Sequence, residues 1–362
     1  MTDIVISGYY GFRNNGDDAL LMSIINDLKS KNSDLNIVVL SKKPKETERI
    51  YGVRAVDRHN ILSVLKAIKN TKMLISGGGT LIQDATSTKS LIYYLAIIKM
   101  ALLFKKKVML YANGIGPLNL RKNRRLTKRI LNKVDLITLR DEISYDLLKE
   151  IGVRRPKIEV TADPAFGIGV SGREEDMLAI NNIPTDEPLM MVSVRPYKNA
   201  VADFSSIVSK GLDYAYTKYG VRSVFLPMQT KTDEEISEEI RRKMKEKSYI
   251  IKADYDIPRL LSIMSKMKIC IGMRLHTLIY SAVSQVPLVG LVYDPKINGF
   301  LDYIGIDNYL SVESLSIDEF KKAIDKSFEN FDTQKEKLEE KRKELKEKAG
   351  RNSLLAIDLL LG

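Results

Sequence analysis

The sequence predicts an α/β protein built from two Rossmann-like, doubly wound domains, and three observations predict it. Short β-branched runs alternate with amphipathic stretches at the spacing of parallel βαβ units. The alternation lapses over a breaker-rich stretch near mid-chain and then resumes. The chain also has 362 residues, more than one ordinary hydrophobic core organises.

In the first series, strands fall at residues 3–7, 36–40, 72–76, 107–111 and 136–139, with helices at 18–29, 61–69, 89–104 and 121–133. In the second, strands fall at 189–194, 222–227, 249–252, 267–271 and 287–291, with helices at 203–218, 233–247, 258–266 and 275–285. Breakers crowd 167–172 and 184–188, which sets one domain over residues 1–172 and the other over 185–348. Residues 332–348 are almost continuously charged and read as a solvated helix. After Gly350, Leu354, Leu355, Ile357, Leu359, Leu360 and Leu361 restore an apolar face, so 351–362 is expected to pack back on the first domain. Two such domains with a cleft between them and a returning C-terminal helix form the layout of GT-B transferases.

Composition narrows the class. An apolar share of 44% belongs to a globular chain and not a disordered one. Cys270 is the only cysteine, which rules out an internal disulfide and fits a reducing cytosol. The first residues carry neither a basic n-region nor an apolar h-region, so a cytoplasmic location is expected. The apolar run 91–104 reaches about two-thirds of a roughly 20-residue span and contains Lys99, so it reads as a buried crossover helix. A net charge of +12 draws acidic small substrates, anionic lipid or nucleic acid. Nucleic acid is set aside because aromatics do not interleave with the basic clusters. Peripheral contact with the inner membrane face remains, with Lys105-Lys106-Lys107 following the apolar run.

The chemistry-bearing residues lie at strand ends, where doubly wound sheets bind ligands. After the first strand, Gly8 to Asp18 forms a glycine-rich loop whose Asn14, Asn15 and Asp17 can meet sugar hydroxyls. Its plainer reading is a turn with Asp17 capping the next helix. Gly77-Gly78-Gly79 follows the third predicted strand and leads to Gln83 and Asp84; three glycines suit positive φ or close ligand approach. Asn113 follows the fourth strand, and Arg140 ends the fifth beside a potential cap, Asp141. In the second domain, Arg274 and His276 stand two apart where a strand gives way to a helix, a natural anion site. Lys296, Arg195 and Gln229 follow other strand ends of that domain. His59, the other histidine, sits among charges and reads as surface. Neither metal-ligand spacing nor a G-x-S-x-G elbow occurs, and no metal or cofactor is expected.

These stretches carry a likeness to a known family. G-Y-Y-G-x-x-N-x-G-D-D-A at 8–19, G-G-G-x-L-x-Q-D at 77–84, N-G-I-G-P at 113–117, L-R-D-x-x-S at 139–144, A-D-P-A-F at 162–166 and G-M-R-L-H at 272–276 resemble the polysaccharide pyruvyl transferases. The resemblance spans residues 3 to 300 in the family's motif order, and is nearest to the bacterial cell-wall branch. It implies a GT-B-like enzyme that moves pyruvate from phosphoenolpyruvate to a sugar as a ketal. In that branch the sugar is an N-acetylmannosamine residue of a lipid-linked secondary cell-wall polymer precursor, and the pyruvylated polymer anchors S-layer proteins. Arg140, Arg274, His276 and Lys296 are carried over by motif as donor-binding and catalytic residues. Arg195 and Gln229 join them on the donor side. The first-domain residues Asn14, Asn15, Asp17, Gln83, Asp84 and Asn113 would hold the acceptor. Phosphoenolpyruvate carries a carboxylate and a phosphate, so it calls for several fixed cations, and His276 is a reasonable acid for its methylene carbon. A GT-B glycosyltransferase using a nucleotide sugar is the rival reading. A non-catalytic carbohydrate- or lipid-surface-binding protein is the reading from another class.

Overall fold

The computed structural model describes residues 2–12, 14–85, 87–169, 178–252 and 257–362. The chain forms two compact units, Met1–Gly167 with Leu345–Gly362, and Ile168–Glu344. Residues 170–172 of the expected domain boundary lie outside the described residues.

The first unit runs β1 (Thr2–Ser7), α1 (Asn15–Lys31), β2 (Ile37–Ser41), α2 (Pro44–Tyr51), β3 (Arg54–Asp57), α3 (Ile61–Lys69), β4 (Thr71–Gly77), α4 (Thr88–Leu103), β5 (Lys107–Asn113), α5 (Arg121–Leu131), β6 (Leu136–Leu139), α6 (Glu142–Ile151) and β7 (Lys157–Val160). Its seven strands are parallel in the order β3-β2-β1-β4-β5-β6-β7, so the order reverses between β1 and β4. Inner strands read as continuous apolar runs because helices cover both faces. Val5, Leu74, Val108 and Leu110 pack under Leu91, Leu95 and Ile98 of α4 on one face. Ile4, Ile6 and Ile75 pack against Ile24 and Leu28 of α1 on the other, together with Leu355, Ala356 and Leu360. Sequence periodicity passes over β3 and β7. Both are short edge strands with charged, partly exposed residues, the composition that protects an edge and removes the strand signal.

The second unit runs β8 (Leu189–Ser193), α7 (Phe204–Tyr219), β9 (Arg222–Phe225), α8 (Thr230–Lys243), β10 (Tyr249–Ile250), α9 (Ile257–Ser265), β11 (Met267–Gly272), α10 (Leu275–Val283), β12 (Leu288–Val292), α11 (Pro295–Tyr303), β13 (Tyr309–Ser311), α12 (Ile317–Glu329) and the start of α13 (Phe331–Leu361). Its six parallel strands repeat the order, β10-β9-β8-β11-β12-β13, with the reversal between β8 and β11.

Two expectations are corrected. The charged tail is not simply solvated: α13 is one helix of 31 residues, and Leu338, Leu345 and Ala349 on it are buried. Spacings of seven and four put these few apolar residues on one stripe while the charges take the rest. Gly350 does not break the helix, which continues to Leu361. The cap of α1 is Asn14, whose side chain accepts from the Gly16 N–H, and Asp17 lies inside the first turn.

Candidate active site

In the second unit, the strand ends next to the reversal carry most of the polar chemistry. Gly272 ends β11 where a Cβ would stand 2.6 Å from Leu278 Cδ2, so α10 packs back on its own strand too tightly for a side chain. Arg274 is the N-cap residue of α10, in extended backbone. Its Nε donates to Asp233 Oδ2 at 2.9 Å, and Nη2 donates to Asp233 Oδ1 and, at 3.2 Å, to Gln229 Oε1. Asp233 is fully buried and also accepts from the Gln229 N–H at 3.0 Å. This bidentate pair sets the plane of the guanidinium through Nε and Nη2. His276, part-buried, is the second residue of α10, its ring 6.0 Å from that of Tyr280. Thr277 Oγ1 donates to Ser193 Oγ at 3.0 Å and ties α10 to the end of β8.

Arg195 also follows β8, but its guanidinium is engaged: Nη1 donates to the Tyr293 hydroxyl at 2.9 Å and the group lies 4.8 Å over that ring. Lys296 opens α11, its N–H held by the Asp294 cap at 2.9 Å. Because β12 lies beside β11, Lys296 and Arg274 follow neighbouring strands.

In the first unit, the β4–α4 glycines lie on the first turn of α1. Gly78 and Gly79 both have φ +68, and a Cβ at Gly79 would stand 2.8 Å from Asp17 Oδ1. Burial pushes the Asp17 carboxyl up to about 7, helped by Asp18 and Asp163, while Arg140 and Arg58 hold it down. Arg140 and Asp163 are 9% and 5% exposed, and Nη1 donates to Asp163 Oδ2 at 2.7 Å. Nη2 donates to Thr80 Oγ1 at 3.3 Å. Asn113 is buried, its amide donating to Tyr111 O at 3.3 Å and Gly78 O at 3.5 Å. Asp17, Asn113 and Arg140 therefore converge on Gly78 to Thr80.

Asn14 is spent on its cap, and Asn15 is the first helical residue. Gln83 is part-buried in the following loop. Asp84 accepts from the N–H groups of Asn119 and Leu120 and from Asn123 Nδ2. Its partial burial would raise the carboxyl, but these bonds hold it below the usual range. It closes a loop. Asp141 caps α6 through the Ser144 N–H at 2.7 Å, and His59 is exposed.

Sequence reasoning missed three charged residues. Asp233 lies 41 positions from Arg274, and no local pattern couples them. Asp163 stands in the A-D-P-A-F motif but gains its meaning only as the partner of Arg140. Arg58 donates to Gly8 O at 2.8 Å and lies 5.1, 4.4 and 5.5 Å from the rings of Phe12, Tyr93 and Tyr94; it supports the loop after β1 from below. Among the described residues, no group of three or more His, Cys, Asp or Glu side chains is placed to hold a metal ion, and no helix is long and apolar enough to cross a membrane.

Comparison with known proteins adds the family. The amylovoran biosynthesis protein AmsJ of Erwinia amylovora is 20% identical over 370 residues, covering 86% of this chain and 88% of that one. Among solved structures, the UDP-GlcNAc 2-epimerase of Neisseria meningitidis bound to UDP-GlcNAc superposes with a TM-score of 0.67 at 13% identity, covering 100% of both chains. HepE of Anabaena in complex with UDP and glucose gives 0.64 at 11% identity, covering 99% of each. These neighbours establish the fold, α/β and GT-B-like. Residues 14–295 match the family model of the polysaccharide pyruvyl transferases. That stretch spans well over half of the chain and includes Asp17, Asn113, Arg140, Arg274 and His276, so the chain belongs to the polysaccharide pyruvyl transferase family and has a pyruvyl-transfer role in polysaccharide biosynthesis.

Proposed function

We propose that the chain transfers the pyruvyl group of phosphoenolpyruvate to two hydroxyls of a sugar, as a ketal, and releases phosphate. The observation that carries this reading is the β11–α10 junction. An arginine clamped by a buried carboxylate stands there two residues before a histidine, at a helix start. Such a junction suits a small, highly charged anion. Asp233 offsets much of the Arg274 charge, so a further cation is needed, and Lys296 supplies it within this unit, with Arg195 and Gln229 on other strand ends of the same sheet; Arg140 is a donor-binding residue by its family motif alone. His276 gives the methylene carbon its proton, since imidazole exchanges one near neutral pH. Phosphoenolpyruvate supplies its own leaving group, and the proposed chemistry calls for no cofactor.

The first-unit crevice around Gly78 to Thr80 takes the acceptor. Its class, from the likeness to the cell-wall branch, is an N-acetylmannosamine residue of a lipid-linked secondary cell-wall polymer precursor, and its product anchors S-layer proteins. Reaction in the cytoplasm, with peripheral contact at the inner membrane face, fits such an acceptor and the net charge of +12. The rival reading, a glycosyltransferase using a nucleotide sugar, draws on fold neighbours solved with UDP or UDP-sugars. One assay separates them. The enzyme is incubated with acceptor and either phosphoenolpyruvate or a UDP-sugar. Inorganic phosphate and an acceptor carrying a pyruvyl ketal are expected from the first; release of UDP without phosphate would overturn the proposal.

A further inference from the structure

Ketal formation needs a base as well as an acid, and none of the residues carried over from the family motifs is yet given that role. A sugar hydroxyl is neutral at pH 7 and attacks poorly unless its proton is taken as the new C–O bond forms. Resting on the pyruvyl-transfer reading, we propose that Asp17 is the general base that takes the proton from the attacking acceptor hydroxyl.

The geometry carries this assignment. Asp17 lies in the first turn of α1, at the crevice where β1 and β4 part, which is where a doubly wound sheet binds its ligand. The turn's structural duty falls to Asn14, which caps the helix, so the Asp17 side chain is not needed there. Gly79 leaves the space beside Oδ1 empty, and a Cβ would fill it at 2.8 Å. In the same crevice Asn113 is fully buried, and its Oδ1 has no hydrogen-bond partner among the described residues. A buried amide oxygen left unmet costs stability unless a ligand donor satisfies it, and a sugar hydroxyl is such a donor.

The charged surroundings suit a base that works near neutrality. Asp18 on the same helix and Asp163 after β7 raise the carboxyl, Arg140 at the end of β6 and Arg58 before α3 lower it, and burial outweighs all four. The phenols of Tyr9, Tyr10 and Tyr94 also face it. A carboxyl pushed up to about 7 is half ionised in the cytosolic range and is a stronger base than an ordinary aspartate.

The step balances without a further reactant. The first acceptor oxygen bonds to C2 as its proton passes to Asp17, while C3 takes a proton from the general acid to become the methyl group. The C2–O bond to phosphate then breaks and the second hydroxyl closes the ketal. Of the two protons the acceptor loses, one is accounted for by the methyl group and one by the departing hydrogen phosphate.

The test is phosphate release from phosphoenolpyruvate against pH, with a lipid-free acceptor ending in N-acetylmannosamine. Wild-type kcat/KM is expected to rise with pH through about 7, because the base must be ionised. Asp17→Asn, which keeps the shape, should lose on the order of 10²-fold or more in kcat together with that rising limb, while still binding phosphoenolpyruvate like wild type. Added formate should restore part of the rate in Asp17→Ala, an effect that a purely structural residue would not show. Near-normal turnover or a retained limb in Asp17→Asn would overturn the assignment. Failure of the wild type to turn over phosphoenolpyruvate would instead overturn the underlying reading, and the base assignment with it.

Discussion

Arg274 and Asp233 show how a residue's chemistry depends on its partner. On the guanidinium alone, the strand end carries a full positive charge. With Asp233 buried against it, the pair is close to neutral and its value lies in a fixed orientation of the guanidinium. Asp233→Asn keeps the size but weakens the clamp, so the KM for phosphoenolpyruvate should rise about tenfold, some 1.4 kcal/mol, with a smaller change in kcat. Steady-state kinetics over donor concentration would read this, and an unchanged KM would show that the clamp does not position the donor. His276→Ala belongs to the chemical step, and kcat should fall by about 10²- to 10⁴-fold with phosphoenolpyruvate binding retained; near-normal turnover would remove His276 from the acid role. Arg274 and His276 are legible in the sequence because they are two apart at one junction. Asp233 and Arg58 are not, because their meaning comes from contacts between separate βα loops.

Among the elements, the junctions matter more than the strands. Gly78 and Gly79 need positive φ and bare Cα atoms because α1 lies against them. The triple glycine was visible in the sequence, but its cause, Leu20 on one side and Asp17 on the other, was not. The inner strands could be placed to within a residue or two because burial on both faces leaves continuous apolar runs. The edge strands β3, β7 and β13 and the helices α2, α11 and α12 escaped notice, being short or carrying charge on an exposed face. In α13 a sparse stripe hides among charges. Leu338→Ala should cost about 2–5 kcal/mol, read as a lowered melting temperature. Lys343→Ala, on the exposed side with its ion pair to Glu339, should stay within about 0.5 kcal/mol. Equal effects would show that the stripe is not packed.

Over the whole molecule, the buried carboxylates of α1 exact a cost in stability that depends on pH. Asp17, pushed up to about 7, and Asp18 and Asp27, each pushed up to about 6, are raised chiefly by burial. Their unfolded values lie near 4, so between about 4 and 7 the native state holds more protons than the unfolded one, and stability falls as pH rises through that window. Asp17→Asn should therefore melt higher than wild type at pH 8, with the gap closing toward pH 4. Melting curves at the two pH values would show it, and a variant that melts lower at pH 8 would mean that the carboxylate stabilises the fold.

The sequence by itself determined the architecture and the family. Alternating apolar runs carry the parallel sheets, breakers separate the two series, and ordered motifs mark the strand ends, all of which are local patterns written along the chain. Only the tertiary structure decided which charges are spent and which remain available. It paired Arg274 with Asp233 and Arg140 with Asp163, turned Asp84 into a loop tie, and left Asp17 desolvated beside Gly79. The physical reason is that pairing and burial depend on contacts between residues far apart in the chain, and a carboxylate's pKa and an arginine's orientation follow from those contacts.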